Sequence, residues 1–154
     1  MKHDVLGEVE LSDGHPFDAT VVVRYDSREI RFGLIRDDQP LETTLALAAT
    51  VVRRLGELDR QAKSIAAADL CAAYNDGWNK YDEGQDDGSF KTVTNPQLSA
   101  AEFEAKLSLW AVNVTGAGML NFHYDDERMF WGHAVIVTSM NGVDLREAHA
   151  EMFG

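Results

Sequence analysis

The sequence of 154 residues contains a single cysteine, Cys71, so no disulfide can form within the chain. Chains that carry unpaired cysteine are typical of a reducing compartment. No run of apolar residues is long enough to cross a bilayer, and the opening residues lack the apolar stretch of a secretory signal. We therefore expect a cytoplasmic protein.

Basic residues are scarce: 14 lysines and arginines stand against 26 aspartates and glutamates, which gives a formal net charge of −12. A surface this acidic repels phosphate backbones and anionic lipids, so we expect neither nucleic-acid nor membrane binding. Hydrophobic residues make up 45% of the chain. This content and length predict one domain over residues 1–154, built around one core.

The N-terminal third shows the alternation of β-strands. Apolar residues alternate with polar ones along segments that begin at Val5, Phe17 and Ile30. The run Thr20–Val23 is β-branched, and such side chains suit a pleated surface. These patterns predict a three-stranded antiparallel meander with one face on the core.

The period changes at Pro40, which suits the first position of a helix. Apolar residues then recur at steps of three and four, which predicts a long amphipathic helix. The helix either bends near Ser64 or gives way there to a second helix that Ser64 caps. Further on, Ser99 followed by Glu102 predicts a capping box at the start of a short helix over roughly residues 100–107.

The last third returns to strands, predicted over residues 107–115, 119–124 and 130–140. The last two form a hairpin around a polar tip at residues 125–128, and Asn141-Gly142 predicts a two-residue turn. Residues 143–150 then form a final strand, or residues 145–148 form a helical turn. The predicted fold class is α+β, with an N-terminal antiparallel β-meander, a helical middle and a C-terminal antiparallel sheet. The two sheets either flank the helix or fuse into one curved sheet around it. The aromatic residues expected in the core are Phe32, Trp78, Phe103, Trp110, Phe122 and Phe130.

Four short motifs occur at Leu6–Val9, Tyr74–Asn79, Phe122–Asp126 and Met129–His133. Together they resemble the bacterial domain-of-unknown-function family 2262, over most of the chain up to His133. The resemblance implies a bacterial cytosolic α+β domain. It brings no catalytic residues to carry over.

The predicted C-terminal hairpin brings polar side chains together. A tip centred on Glu127 places Asn121 opposite His133 and His123 opposite Trp131, so the two histidines become diagonal neighbours on one face. Asp125 or Asp126 could join them from the tip. The resulting candidate polar site consists of Asn121, His123, Asp125, Asp126, Trp131 and His133.

Two imidazoles and a carboxylate could bind zinc or iron, or could exchange protons near neutral pH. The alternative is that these residues pack against the sheet and hydrogen-bond to the backbone. A slip of one residue in the strand register would put His123 and His133 on opposite faces. The second interpretation is preferred, so we expect neither a metal ion nor a cofactor.

The polar segment over residues 82–96 predicts an exposed loop. Its carboxylates, Asp82, Glu83, Asp86 and Asp87, do not have the spacing of an EF-hand calcium loop. Opposite charge speeds the encounter of proteins, so these four residues are candidates for binding a basic partner.

The chain lacks the P-loop, the dinucleotide-binding glycine pattern, the G-x-S-x-G elbow and the H-E-x-x-H motif. The leading hypothesis is therefore a non-enzymatic, immunity- or inhibitor-like module that docks its acidic surface onto a basic partner protein. One alternative is a metal-dependent or acid–base enzyme that uses His123, Asp125 and His133. Another is a small-molecule sensor with an aromatic pocket near Trp78 and Trp131.

Overall fold

The computed structural model describes residues 1–154 and has the predicted α+β fold. In chain order the strands are β1 (Lys2–His3), β2 (Gly7–Glu8), β3 (Glu10–Leu11), β4 (Ala19–Tyr25), β5 (Arg28–Ile35), β6 (Lys80–Gly84), β7 (Phe90–Thr94), β8 (Ser108–Thr115), β9 (Leu120–Asp125), β10 (Ala134–Ser139) and β11 (His149–Phe153). The helices are α1 (Leu41–Arg53), α2 (Leu55–Ala73) and α3 (Ala100–Ala105), and a π-helical turn over Tyr74–Trp78 extends α2.

Seven strands form one sheet in the order β11-β10-β9-β8-β5-β4-β3. All neighbours in this sheet are antiparallel except β5 and β8, which are parallel. The N-terminal meander and the C-terminal strands thus belong to one sheet. This is the fused arrangement, and not the one in which two separate sheets flank the helix. Parallel neighbours need a long crossover connection, and residues 36–107 supply it.

One face of the sheet is covered by α1, which contacts β5 and β8, and by α2, which contacts β10 and β11. The strand register aligns a row of buried side chains across this face: Val21, Phe32, Val112, Phe122, Val137 and Ala150. The row belongs to a cluster of 32 buried residues drawn from both halves of the chain. On the opposite face, which we call the open face, Val22 and Trp110 are 56% and 51% exposed.

The expected aromatic core is confirmed at four positions, since Phe32, Phe103, Phe122 and Phe130 are fully buried. Trp78 is only half-buried. The prediction for Trp110 is wrong: its side chain is 51% exposed. A β-bulge between Leu109 and Ala111 interrupts the alternation of β8 at this point.

The long helix begins at Leu41, so Pro40 is the N-cap residue and not the first helical residue that the sequence predicted. Its break lies at Arg54, where φ is −111° and ψ is 17°, and not at Ser64. The guanidinium of Arg54 forms an ion pair with Glu57 at 2.8 Å in the first turn of α2. None of the helices combines the length and the apolar character that a membrane-crossing helix requires.

The segment over residues 82–96 is not a loop, because β6 and β7 pair as an antiparallel hairpin. The turn between them has Gly88 at a φ of +83°, and the Gly88 amide donates to the Gln85 carbonyl at 3.0 Å. The β-branched run Thr92–Thr94 favours the extended backbone of β7. Polarity alone was therefore a poor guide to the backbone conformation here.

Asn141-Gly142 does not form the predicted two-residue hairpin turn. Residues 140–148 connect β10 to β11, and within this connection Leu145 is buried. The Gly142 amide donates to the Gly118 carbonyl at 2.7 Å, and the Ser139 hydroxyl donates to the Gly142 carbonyl at 2.7 Å. The apolar Leu145 side chain needs a place in the core, and the longer connection provides it.

A buried carboxylate ties α2 to the sheet. Asp59 is 4% exposed; Tyr25 Oη donates to its Oδ2 at 2.8 Å, and Tyr124 Oη donates to its Oδ1 at 2.7 Å. Lys63 Nζ lies 3.5 Å from the same Oδ2. Because Tyr25 is on β4 and Tyr124 on β9, one side chain of α2 holds both halves of the sheet. These contacts offset the cost of removing a charge from water.

We predict that Asp59→Ala lowers the free energy of unfolding by about 3 kcal/mol, because two tyrosine hydroxyls lose their shared acceptor inside the protein. Urea denaturation followed by circular dichroism measures the change. The control is Asp76→Ala, which removes an exposed carboxylate from the end of the same helical segment. An equal effect of the two substitutions would contradict the role given to Asp59.

The two tyrosines also predict a loss of stability in alkali. Burial, followed by the hydrogen bond to Asp59, raises the pKa of Tyr25 to about 12, and burial also raises the pKa of Tyr124. Above the ordinary tyrosine pKa of about 10 the unfolded chain loses these protons while the folded protein keeps them. Below about pH 10 the two tyrosines therefore add no pH dependence to the free energy of unfolding. As the pH rises from about 10 to about 12, the free energy of unfolding falls.

The measurement compares urea midpoints at about pH 8 and about pH 11 for the wild type and for Tyr25→Phe. The variant is expected to show the smaller decrease. The Cys71 thiol, whose pKa burial also raises, is present in both proteins and so does not affect the difference between them. An equal decrease in both proteins would show that Tyr25 does not carry the effect.

Candidate functional site

A cleft of about 1260 Å³ lies between the π-helical turn, the base of the β6–β7 hairpin, α3 and the loop over residues 126–133. We call it the aromatic cleft. Its apolar and aromatic lining consists of Tyr74, Trp78, Tyr81, Pro96, Leu98, Ala105, Met129 and Trp131. Its charged lining consists of Asp82, Glu102, Lys106, Glu127 and Arg128.

The π-helical turn forms one side of the aromatic cleft. The Asn79 amide donates to the Tyr74 carbonyl at 3.0 Å, five residues back, so the last turn is wider than an α-helical one. This turn carries both Tyr74 and Trp78, which line the cleft. Such π-helical turns are rare and occur frequently at functional sites.

Two asparagines of this turn hold the neighbouring segments in place. Asn75 Nδ2 donates to the Leu98 carbonyl at 2.8 Å, and the Leu98 amide donates to Asn75 Oδ1 at 2.8 Å. Asn79 Nδ2 donates to the Asn95 carbonyl at 3.0 Å, and the Asn95 amide donates to the Asn79 carbonyl at 2.7 Å. The first pair fixes the chain entering α3, and the second fixes the base of the β6–β7 hairpin.

Helix α3 starts with the predicted capping box, which is confirmed. The Glu102 amide donates to Ser99 Oγ at 3.1 Å, and the Ser99 amide donates to Glu102 Oε1 at 3.0 Å. The donation from the Ser99 backbone lowers the pKa of Glu102 below its ordinary value. The side chain of Phe103, within this helix, is buried in the core. Glu102 and Lys106 line the cleft.

The loop over residues 126–133 is organised by a buried carboxylate. Asp126 is 5% exposed; its Oδ1 accepts from the Arg128 amide at 3.0 Å and its Oδ2 from the Phe130 amide at 3.1 Å. Within the loop Arg128 has a φ of 65° and Trp131 a φ of 57°. For side chains of this kind the left-handed region costs about 1–2 kcal/mol per residue. Of the seven non-glycine residues with a positive φ, three lie in this segment: Glu127, Arg128 and Trp131.

Trp131 combines this strain with exposure. Its side chain is 55% exposed, and its ring centroid lies 4.7 Å from that of Trp78 at an interplanar angle of 58°. Trp78 in turn packs edge-on against Phe130 at 5.5 Å. The fold thus maintains a costly backbone conformation for a side chain that it does not bury. Strain of this kind clusters at functional sites, which makes Trp131 the strongest single candidate for function.

The predicted register of the C-terminal hairpin is wrong. His123 pairs with Ile136, not with Trp131, because the connection after β9 is longer than a tight hairpin turn and β10 begins only at Ala134. His123 lies on the open face of the sheet, where its Nε2 is 3.2 Å from Asn113 Nδ2. Burial lowers its pKa.

His133 lies apart from His123, before the start of β10. Its Nδ1 is 2.8 Å from the Phe130 carbonyl, and its ring packs edge-on against Trp78 with a centroid distance of 5.4 Å. His133 thus contacts a backbone carbonyl, whereas His123 contacts the side chain of Asn113. No group of three or more histidine, cysteine, aspartate and glutamate side chains is arranged to hold a metal ion.

The other residues of the candidate polar site are also dispersed. Asn121 accepts from the Thr138 hydroxyl at 2.8 Å on the open face of the sheet, and Asp125 accepts from the Glu127 amide at 3.2 Å. Asp126 is used inside its own loop. Of the six predicted site residues, Trp131 is the one that lines the aromatic cleft.

The four predicted partner-binding residues lie on one arm of the structure. Asp82, Glu83, Asp86 and Asp87 belong to the β6–β7 hairpin, and all are exposed. Asp82 also lines the aromatic cleft and accepts from the Thr92 hydroxyl at 2.9 Å. The hydroxyl and amide of Ser89 lower the pKa of Asp87. The acidic β6–β7 hairpin and the aromatic cleft therefore form one continuous surface.

Sequence reasoning missed the charged residues on the other sides of the cleft: Glu102, Lys106, Glu127 and Arg128. They come from α3 and from the loop over residues 126–133, which are far apart in the chain. No local pattern links them. The tertiary structure alone brings them to one rim.

The strain at Trp131 predicts that glycine is more stable than alanine at this position, which is the reverse of the order in a regular strand. Because φ is positive there, Trp131→Gly should be about 1 kcal/mol more stable than Trp131→Ala. Trp110 lies in strand β8, where glycine should be less stable than alanine by about 0.5–1 kcal/mol. Urea denaturation of the four variants measures both differences. A glycine variant less stable than the alanine variant at both positions would contradict the strain at Trp131.

The comparisons with known proteins place the chain in one family. The family model described as an uncharacterized protein conserved in bacteria, DUF2262, matches residues 3–149. No curated protein and no solved structure matches the chain significantly. The match spans nearly the whole sequence and includes the π-helical turn, α3 and the loop over residues 126–133. The chain therefore belongs to the bacterial family DUF2262.

Proposed function

We propose that the protein is a non-enzymatic protein-binding module that docks its acidic surface onto a basic partner protein. We further propose that the docking surface consists of the β6–β7 hairpin and the adjoining aromatic cleft. The observation that carries this proposal is the exposed, strained Trp131 beside an arm that bears four carboxylates.

The β6–β7 hairpin has the properties of a docking element. Every residue of β6 is exposed, and all of β7 is exposed except Val93, which is half-buried. Phe90 is 75% exposed and Tyr81 43% exposed, so the arm presents aromatic rings as well as charge. An isolated two-stranded hairpin is only marginally stable in water. A partner that covers it would bury these rings and stabilise the arm.

Charge supports a basic partner. The net charge of −12 attracts a cationic protein over long distances and increases its rate of association. The hairpin contributes four carboxylates against the two lysines Lys80 and Lys91. An inhibitor or immunity role, in which an acidic surface covers a basic protein, fits this distribution.

The small-molecule sensor is a second candidate, because the Trp78–Trp131 pair offers aromatic surface to a planar ligand. The cleft volume of about 1260 Å³ exceeds the roughly 300–1,000 Å³ usual for small-molecule pockets, which favours a polypeptide segment. The enzyme that would use His123, Asp125 and His133 receives no support from the dispersed placement of these residues.

We also propose that the chain forms one domain and is located in the cytoplasm. The single cluster of buried residues from both halves supports one domain over residues 1–154. The lone Cys71 supports a cytoplasmic location.

The test is affinity capture of partners from extracts of the source bacterium at low and high salt. We compare the wild type with a variant in which Asp82, Glu83, Asp86 and Asp87 are replaced by their amides. The control variant replaces four other exposed carboxylates, Asp4, Glu10, Asp13 and Glu147, by amides, so the change in net charge is the same.

We expect a basic protein that the wild type and the control retain at low salt, and that the hairpin variant and high salt release. Equal loss in both amide variants would show that charge alone, without a docking surface, accounts for binding. Capture that is insensitive to salt, or the absence of any captured basic protein, would contradict the proposal.

A further inference from the structure

We infer that the aromatic cleft holds a large apolar side chain of the partner, flanked in the partner's sequence by lysine or arginine residues. This inference rests on the proposed function and specifies the chemistry that the cleft recognises. It follows from the apolar surface inside the cleft and from the unpaired charges at its rim.

The interior of the cleft offers apolar surface to a guest. Trp78, Leu98 and Met129 line it, and the first two are only partly buried. The Trp131 ring meets Trp78 at 58°, and more than half of its side chain remains open to solvent. A guest side chain that contacts Trp131 would remove this surface from water, and aromatic guests would gain ring–ring contacts as well.

The rim carries charged side chains that take part in no ion pair of the chain. The five ion pairs of the chain do not include Asp82, Glu102, Glu127, Lys106 or Arg128. Three carboxylates and two cations therefore surround the cleft outside these ion pairs. Two of the carboxylates accept one neutral donor each, Asp82 from the Thr92 hydroxyl and Glu102 from the Ser99 amide. The excess of carboxylates continues along the hairpin through Glu83, Asp86 and Asp87. This distribution is complementary to basic residues on both sides of an anchor.

The exposed face of Trp131 adds a second reason for cations in the flanks. A lysine ammonium or an arginine guanidinium over an indole face is attracted by the ring quadrupole. The carboxylate of Glu127 belongs to the same loop as Trp131 and lines the same cleft. An acidic segment would meet a rim and hairpin on which carboxylates outnumber the cations Lys106 and Arg128.

The size of the cleft fits an anchor with its neighbours. A tryptophan side chain buries about 150–250 Å² when it is enclosed. The cleft volume of about 1260 Å³ leaves room for adjoining backbone and the stems of flanking side chains. The occupant is thus a stretch of polypeptide, in which one residue provides the anchor.

The experiment uses fluorescein-labelled synthetic peptides of the sequence Lys-Lys-Gly-Trp-Gly-Lys-Lys. A second peptide has alanine in place of tryptophan, and a third has glutamate in place of every lysine. Fluorescence anisotropy gives the dissociation constants with the full-length protein. We expect the tryptophan peptide to bind at least about tenfold more tightly than the alanine peptide, and the glutamate peptide not to bind.

The variants Trp131→Ala and Trp131→Gly should abolish the preference for tryptophan over alanine. Trp131→Gly suits the positive φ, so it keeps the test valid if the alanine variant is poorly folded. The control is Trp110→Ala, which removes another tryptophan of similar exposure from β8 and should leave the preference unchanged.

Equal affinity for the tryptophan and alanine peptides would overturn the inference. If both lysine peptides then still bound in a salt-sensitive way, the proposed docking of a basic partner would stand without the anchor. A glutamate peptide that binds as tightly as its lysine counterpart, or no binding by any peptide, would also overturn the inference. If the glutamate peptide binds, or if no peptide binds, the capture experiment with the amide variants tests the proposed function separately.

Discussion

Strands β5 and β8 run parallel at the centre of the sheet, and parallel neighbours cannot be joined by a tight turn. The chain between them must therefore cross over the sheet, and it carries α1 and α2 onto the inner face. There Asp59 accepts hydrogen bonds from Tyr25 and Tyr124, which belong to strands on the two sides of the parallel pair. The central pairing and this buried carboxylate together determine where α2 lies.

The position of α2 determines the site. Its C-terminal end widens into the π-helical turn, and from there Asn75 and Asn79 hold the chain entering α3 and the base of the β6–β7 hairpin. Three sides of the aromatic cleft thus come from the crossover, and the loop over residues 126–133 closes the fourth. The strain in that loop is sustained by the buried Asp126, and its effect is to present Trp131.

Local chemistry made part of this structure predictable. The capping box of Ser99 and Glu102 involves neighbouring residues only, and the β-branched run in β4 favours a strand wherever it is placed. The pairing of His123 was not predictable in this way, because the strand register depends on how many residues separate β9 from β10, and β10 begins only at Ala134. The exposure of Trp110 depends on a β-bulge, and the residue pattern of β8 does not predict that bulge.

The most direct test of the account is hydrogen exchange of the backbone amides, measured with and without the tryptophan-bearing lysine peptide. Protection should increase in the β6–β7 hairpin, at the start of α3 and in the loop over residues 126–133, because these segments form the docking surface. Amides of β4 and β10 should exchange at unchanged rates. Protection that appears on the open face of the sheet around His123, with none at the aromatic cleft, would contradict the account.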